Sequence, residues 1–381
     1  MKTYLAILKV PGALRVFLSV AAIRSSTIGI DFTLLILIQQ TSGSFAWAGL
    51  ALGLSSLGTA LGNPIQGKLM DLYGAKNSLI IFGSSFLVTS IVLVSTVQAL
   101  PLGVILLLCL LVGLTRPAGQ GFGRAAWAIL YPKEKERLQA ASLDAVQAGT
   151  VNGFGALMSL FFTQIFAPEL ILVLFAAGAF VGAISLGLSP IAAALSRDQK
   201  ESSESTTGVW KDRKLQLLFS IQFWFMIADG ALLVGLVAIS KDWEEPFFGA
   251  LMVFSVFVGL LVGNLRFGLD TKTIDHLKGI GDPLLRYIVC ILVTTAAVLV
   301  GHWTLMIPLL FLCGYQRRGF TPSLQTMVHD ISPLPQINQA LSLVFVALVI
   351  GAALGRALSG SIFEAFGTTA PLLLSALSVG I

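Results

Sequence analysis

The sequence predicts an all-α polytopic membrane protein, with twelve transmembrane helices arranged as two pseudo-symmetric six-helix bundles. Three observations carry that expectation. Hydrophobic residues make up 56% of the 381-residue chain and charged residues only 11%, with mean hydropathy +0.88, well outside the range of soluble domains. Apolar runs of about 20 residues recur along the whole length, which suits spanning helices; barrel strands would instead alternate over about ten. Short motifs of the first half also return in the second. Gly62-Asn63 with Gly67 recurs as Gly263-Asn264 with Gly268, Gly113-Leu-Thr-Arg116 as Gly314-Tyr-Gln-Arg317, and Gln139-Ala-Ala-Ser142-Leu143 as Gln339-Ala-Leu-Ser342-Leu343. All three are displaced by 200 or 201 residues, which implies two parallel halves related by an axis along the membrane normal.

In chain order, span 1 is expected over Val16 to Ile38, span 2 over Phe45 to Gln66 and span 3 over Ser78 to Val97. Span 4 starts at Pro101, span 5 near Ala141 and span 6 near Glu169. The polar run Arg197-Asp-Gln-Lys-Glu-Ser-Ser-Glu-Ser-Thr-Thr207 cannot bury apolar surface and marks a linker over residues 196–214 between halves 1–195 and 215–381. Span 7 then covers Leu215 to Ser240, span 8 Phe247 to Asn264 and span 9 Leu284 to Gly301. Span 10 begins at Trp303, span 11 at Ile337 and span 12 at Pro371. Only ten residues follow Pro371, too few to cross a bilayer, so the natural chain is expected to continue.

Basic residues fix the expected orientation. With the N-terminus in the cytoplasm, Lys241 alone falls in an outer loop and Arg24 and Arg356 fall inside apolar segments; the outer loops otherwise carry Glu169, Asp242, Glu244, Glu245 and Glu364. Both termini are therefore expected inside, as in a plasma membrane protein such as those of the bacterial inner membrane. The net charge of +5 follows this topology and gives no reason to expect nucleic acid. Cys109, Cys290 and Cys313 all lie in apolar segments without metal-ligand spacing, so neither disulfides nor a metal are expected, and no cofactor motif is present. Gly119-Gln-Gly121-Phe-Gly123 lacks the strand before it and the lysine-serine pair after it that a nucleotide loop requires.

The turn Gly67-Lys-Leu-Met-Asp71-Leu-Tyr-Gly74-Ala-Lys76 joins spans 2 and 3. Gly67 is expected to allow a close backbone approach and Gly74 the reversal, with Lys68, Asp71 and Lys76 held at the interface. This stretch supplies Gly67, Leu69, Asp71, Gly74 and Lys76 of the pattern Gly-x-Leu-x-Asp-Arg-x-Gly-Arg-Lys, with Leu72 and Ala75 where basic residues are usual. On these residues the chain resembles the major facilitator superfamily over its whole length. Thr41-Ser-Gly-Ser44, Ala48-Gly49-Leu50, Arg116-Pro117-Ala118 and Leu138 to Asp144 look like its bacterial solute and drug exporters. Gly149-Thr-Val-Asn-Gly153-Phe154 keeps the glycines of the exporters' fifth-span pattern but not its proline. The resemblance implies transport by rocking of the two halves about a central site.

Ionisable groups at bilayer depth cost at least about 2.5 to 3.5 kcal/mol, which marks Arg24, Asp31, Asp229 and Arg356. Arg24, Thr27, Ile28 and Asp31 share one face of span 1, with the two charges about 10 Å apart along it. Asp31 is the first candidate for a coupling proton and Asp229, at matching depth in span 7, the second; a static bridge from Asp31 to Arg24 or Arg356 is the structural alternative. Arg116 and Arg317, followed by Arg124 and Arg318, are expected as gate residues together with Gly67, Asp71, Gly74, Lys76 and Asp144. Asp71, Lys68, Lys76 and Asp144 are then partners across the cytoplasmic face, and the first turn is the stronger gate because Asp270, Lys272 and Asp275 of its repeat lack the same spacing. Gln147, Asn152, Gln222 and Trp224, with Arg24, Thr27 and Arg356, are candidates for the solute cavity, with Phe223, Phe225, Phe254 and Phe257 as aromatic lining. The expected function is a proton-coupled exporter of an amphipathic or drug-like small molecule, acting as a monomer in the lipid bilayer. An uptake carrier for a small anionic or zwitterionic metabolite is the alternative. A receptor or membrane enzyme of the same fold is a third reading, for which the chain offers no nucleophile, metal or nucleotide constellation.

Overall fold

The computed structural model describes residues 8–131, 134–192, 212–269, 276–301, 303–331 and 337–380. Among them the chain forms fourteen helices and no strand. The N-terminal series is α1 (Ala13–Ser42), α2 (Phe45–Tyr73), α3 (Ala75–Thr96), α4 (Leu102–Thr115), α5 (Gly119–Leu130), α6 (Glu134–Phe162) and α7 (Pro168–Gly187). The C-terminal series is α8 (Arg213–Asp242), α9 (Pro246–Leu269), α10 (His276–Val300), α11 (Trp303–Gln316), α12 (Phe320–Ile331), α13 (Ile337–Phe366) and α14 (Ala370–Gly380). Seven of these helices are long and apolar enough to cross a membrane.

Fourteen helices still make twelve spans, because spans 4 and 10 are each broken in the middle. At the first break Pro117 lacks a backbone N–H and pushes Arg116 out of the helical region, so α4 ends at Thr115 and α5 starts at Gly119, after three intervening residues. At the second, Gly319 adopts φ +73, which ends α11 and releases α12. The same break at the same place in both halves was not expected, although Arg116-Pro117 and Gln316-Arg317-Arg318-Gly319 interrupt the apolar runs there.

Several helices outrun their apolar segments. Span 5 begins at Glu134 rather than near Ala141, and span 9 at His276 rather than Leu284. Hydropathy measures the bilayer's thickness, whereas Glu134-Lys-Glu-Arg137 simply continues the helix into water with good helix formers. Span 2 likewise runs on through Gly67 to Tyr73. The close approach expected at Gly67 is therefore corrected: it is an exposed helical residue, and a Cβ there would meet nothing within 4 Å. The reversal rests on Gly74 alone, at φ 84 and ψ 150, a conformation open essentially only to glycine. Gly74→Ala is expected to cost about 1 to 3 kcal/mol, read as a lowered unfolding temperature of the detergent-solubilised protein.

The described chain groups into two compact units, residues 1–37 with 57–203 and residues 38–56 with 204–381. The linker expected over 196–214 falls almost entirely outside the described residues, as do Asp270, Lys272 and Asp275. In the first unit Val16, Val20, Ile23, Leu79, Phe122, Trp127, Leu143 and Leu186 form a dry core. In the second, Leu215, Leu218, Phe219, Phe225, Phe320, Leu324, Val328 and Val344 do so. Leu107, Val181, Leu285 and Leu299 stay exposed, the surface a spanning helix offers to lipid.

Without a hydrophobic drive between helices in lipid, close packing relies on small residues. In the first unit a Cβ at Gly58 would collide with the Leu110 carbonyl and one at Gly62 with that of Leu114, so α2 lies directly against α4. In the second unit Gly259 meets the Phe311 carbonyl and Gly263 that of Tyr315, placing α9 against α11 in the same way. Both contacts of the first unit recur in the second at a displacement of 201, so the repeat read from the sequence is also a repeat of packing.

Candidate functional site

Helix α1 places Arg24 and Asp31 two turns apart, and the fold sends them to different partners. The Arg24 guanidinium meets the Asp144 carboxylate of α6 on both oxygens, Nη1 to Oδ1 at 2.9 Å and Nη2 to Oδ2 at 2.8 Å. Nη1 also donates to Gln147 Oε1 at 2.7 Å, and Gln147 Nε2 donates to the Phe17 carbonyl at 2.6 Å. Trp127 Nε1 of α5 donates to Asp144 Oδ1 at 3.2 Å. Arg24 is only 4% exposed, and this bidentate pair, with Gln147 as a further acceptor, is what allows such a charge to remain in the interior; its Nε–H has no partner among the described residues. Asp144→Ala strands the guanidinium and is expected to destabilise the chain by about 3 to 5 kcal/mol, a loss of unfolding temperature that Arg24→Gln in the same chain should largely reverse.

Asp31 accepts from Arg116 Nη2 at 2.9 Å, with both groups buried. This corrects the expected partner, which was Arg24 or Arg356: the break after α4 turns Arg116 inward to the depth of Asp31. The break itself is held by Gln66 of α2, whose Nε2 donates to the Arg116 carbonyl at 2.6 Å and whose Oε1 accepts from Ala118 N–H at 2.8 Å. Gln66 thus satisfies backbone groups that the missing helical turn leaves over.

The second unit repeats the device. Asp229 of α8 pairs with Arg317 Nη1 at 2.5 Å, and Arg317 again sits in the break of span 10. Its guanidinium lies over the Phe225 ring, 5.3 Å to the centroid, while Phe225 packs on Phe320 at 3.9 Å and on Tyr287 at 6.0 Å. Asn264 of α9 accepts from Gly319 N–H at 3.3 Å, the counterpart of Gln66. Arg318 turns away and stacks on Tyr315 at 4.3 Å.

The remaining expected positions scatter. Thr27 is half-buried and its hydroxyl donates back to the Ile23 carbonyl at 2.9 Å. Asn152 is half-buried. Trp224 meets Phe223 edge to face at 5.5 Å. Arg356 donates to Ser56 Oγ at 2.6 Å, within the second unit. Gln222 is 1% exposed, and neither end of its amide has a partner among the described residues. Of the expected gate, Lys76 is exposed, and the side chains of Asp71 and Arg124 lie outside the described part of the chain. Asp144 faces Arg24 rather than the lysines of the turn, and Arg116 and Arg317 stand in ion pairs at the span breaks. Gln66, Trp127 and Tyr287 were not singled out from the sequence, and Asn264 only as part of the repeated Gly-Asn motif, not as a site residue. A polar residue at bilayer depth beside a Gly- or Pro-marked interruption is the signal that would have found Gln66 and Asn264. No group of metal ligands occurs among the described residues.

Two bundles of antiparallel helices, each with an acid of its first span paired to an arginine in its broken fourth span, define a multi-pass membrane transporter. The sequence profile of the Major Facilitator Superfamily matches residues 16–278, and the chain belongs to that superfamily. No curated protein matches it in sequence. Among solved structures the nucleoside transporter NupG is similar in fold, with 15% identity, 96% of this chain and 97% of that one covered and a TM-score of 0.72. A bacterial homologue of the iron transporter ferroportin in its inward-facing state follows at 13% identity, 96% and 97% coverage and TM-score 0.70. A POT family transporter in complex with 5-aminolevulinic acid gives 14%, 96% and 93%, and 0.69.

Proposed function

We propose that this transporter is proton-coupled and exports a small amphipathic or drug-like solute, with Asp31 and Asp229 as its two proton-exchanging acids. The observation that carries this reading is the duplicated pair of an aspartate and a break-seated arginine, Asp31 with Arg116, both buried, and Asp229 with Arg317, both largely buried. A buried carboxylate held by one arginine changes its protonation when its solvation or the distance to that arginine changes, and alternating access changes both. One proton on such a pair frees a guanidinium, which links proton uptake to rearrangement. Aromatic neighbours, Phe225 beside Arg317 and Phe223 beside Trp224, suit a solute with an apolar body. Uptake of a small anionic or zwitterionic metabolite is the second reading, favoured by the two arginines and by the fold's likeness to a nucleoside transporter and to a transporter holding 5-aminolevulinic acid. Termini in the cytoplasm and a bacterial inner membrane remain part of the proposal.

Reconstituted vesicles with an internal pH dye test it. Outward-directed ethidium flux that moves protons the opposite way supports export, whereas proton-linked accumulation of 5-aminolevulinic acid supports the second reading. Ethidium and 5-aminolevulinic acid flux that ignores an imposed pH gradient would sink the coupling.

A further inference from the structure

The two cysteines of the second unit lie in separate apolar segments, and the fold brings them together. Cys290 is carried by α10 and Cys313 by the last turn of α11, both as free thiols within hydrogen-bonding reach of each other. Thr294, one turn after Cys290, donates its hydroxyl proton to the Cys290 carbonyl at 2.7 Å, and its Oγ1 stands 3.8 Å from Cys313 Sγ. That hydroxyl has a single proton, already committed, so in the second contact the Cys313 S–H donates to Thr294 Oγ1. The lone pairs of the Cys313 sulfur are then left facing Cys290. When Cys290 gives up its proton, the Cys313 S–H has a nearby anion to turn to, and the developing thiolate is held in place.

Exposure separates the two sulfurs. Cys313 is fully buried, whereas Cys290 is half-buried beside Val289 and Val293, which are exposed on the surface that α10 offers to lipid. A reagent dissolved in the bilayer therefore reaches Cys290 first. Cys313 precedes Arg317 by one turn, and the guanidinium is close enough to act on its sulfur electrostatically. Partial exposure of one thiol and a positive charge near the other are surroundings in which cysteines react rather than merely pack. Among the described residues no third His, Cys, Asp or Glu completes a metal-ligand group, and a zinc site takes more ligands than two thiols supply. The repeat does not demand the pair either: the positions displaced by 201 in the first unit are Thr89 and Val112. A close dithiol that neither the duplicated packing nor a metal explains is suited to covalent oxidation.

We propose that Cys290 and Cys313 form a redox-active dithiol that a lipid-borne alkyl hydroperoxide oxidises to a disulfide, pinning α11 to α10 at the edge of the broken tenth span. The Cys290 sulfur attacks the terminal peroxide oxygen and the O–O bond breaks. The new S–O bond leaves Cys290 as a sulfenic acid, and the thiol proton goes to the departing alkoxide, which leaves as the alcohol. The Cys313 sulfur then attacks the Cys290 sulfur, its proton goes to the departing hydroxide, and water is released. Over both steps the dithiol gives up two electrons and two protons, and the hydroperoxide is reduced to one alcohol and one water. Thr294 is a positioning residue: by accepting the Cys313 S–H it aims the lone pairs of that sulfur at Cys290. The bridge holds the turn of α11 that leads directly into Arg317. It requires nothing of the direction or coupling of transport.

Thiol trapping with mass spectrometry, on the full chain in phosphatidylcholine nanodiscs, is the experiment. Without oxidant, unfolding in N-ethylmaleimide should label Cys109, Cys290 and Cys313. After tert-butyl hydroperoxide only Cys109 should be labelled, digestion should yield one peptide pair joined through Cys290 and Cys313, and dithiothreitol should restore the lost labels. The oxidised chain should unfold at a higher temperature than the reduced one, because the bridge closes a loop. Hydrogen peroxide, which partitions into water, should oxidise the pair more slowly than tert-butyl hydroperoxide at equal concentration. Cys290→Ser should leave Cys313 fully labelled, and Cys313→Ser should stop at a Cys290 sulfenic acid that dimedone captures. Thr294→Val should slow disulfide closure while the sulfenic acid still forms and accumulates, an effect that a merely packing role would not produce. Full labelling of the native chain after tert-butyl hydroperoxide, a crosslink to Cys109 or between two chains, or sulfenic acid without a disulfide overturns the proposal. Equal rates with the two peroxides overturn the lipid route, and native closure in Thr294→Val overturns the positioning role. If a serine variant does not fold, the labels and crosslinked peptide of the native chain decide.

Discussion

Asp31→Asn is expected to abolish flux driven by a pH gradient in reconstituted vesicles. Its carboxylate is buried and held at 2.9 Å by Arg116, so the neutral amide fixes the site in one protonation state and removes the exchangeable charge. The substitution also leaves the Arg116 guanidinium uncompensated, and losing one partner of a buried pair costs about 3 to 5 kcal/mol. Stability and coupling can be separated by adding Arg116→Gln. The double variant should regain most of the lost unfolding temperature, since no buried charge is left alone, while coupled flux stays absent. Proton-linked flux at the native rate in Asp31→Asn would remove this acid from the mechanism. Run in parallel, Asp229→Asn asks the same of the second unit.

Gly58→Leu and Gly259→Leu are expected to have the largest effect on assembly. Each glycine lies against a backbone carbonyl, of Leu110 and Phe311 respectively, so even a Cβ has nowhere to go unless α2 leaves α4 or α9 leaves α11. Overpacking typically costs about 1 to 3 kcal/mol where side chains can yield, and here the obstacle is main chain, which places both variants at or above the upper end. The separated helices would also let go of the break that Gln66 or Asn264 holds, and so of the arginine seated in it. The measurement is the yield of monodisperse protein after solubilisation, with its unfolding temperature. Gly67→Leu is the control on the same helix: its surroundings are open, and it should behave as the native chain does.

These two predictions also separate what could be read in advance from what could not. The all-helical membrane fold, the spans to within a few residues at most of their ends, and the two-fold repeat follow from hydropathy and from residue identity at a fixed displacement. Both are linear properties of a chain that must satisfy its own backbone in lipid. Asp31 and Asp229 were legible for the same reason, because a charge at bilayer depth is costly wherever it points. Which charge meets which was not. Arg24 and Asp31 share a stripe on α1, yet one goes to Asp144 and the other to Arg116, because partner choice depends on how α5 and α6 approach α1. Nor could apolar runs reveal that spans 4 and 10 are broken. Leu114 and Phe311 sit in unremarkable hydrophobic sequence, and only the packing of Gly62 and Gly259 on their carbonyls shows how closely the helices run.

By itself, then, the sequence determined a duplicated helical bundle with acids buried in the first span of each half, since burial cost and helix length are set locally. The tertiary structure alone decided that each acid answers to the arginine two hundred residues apart from its twin, seated in a broken span and held by Gln66 or Asn264. Those pairings arise from distances between helices, and distance between helices is a property of close packing at glycines, which no single segment carries.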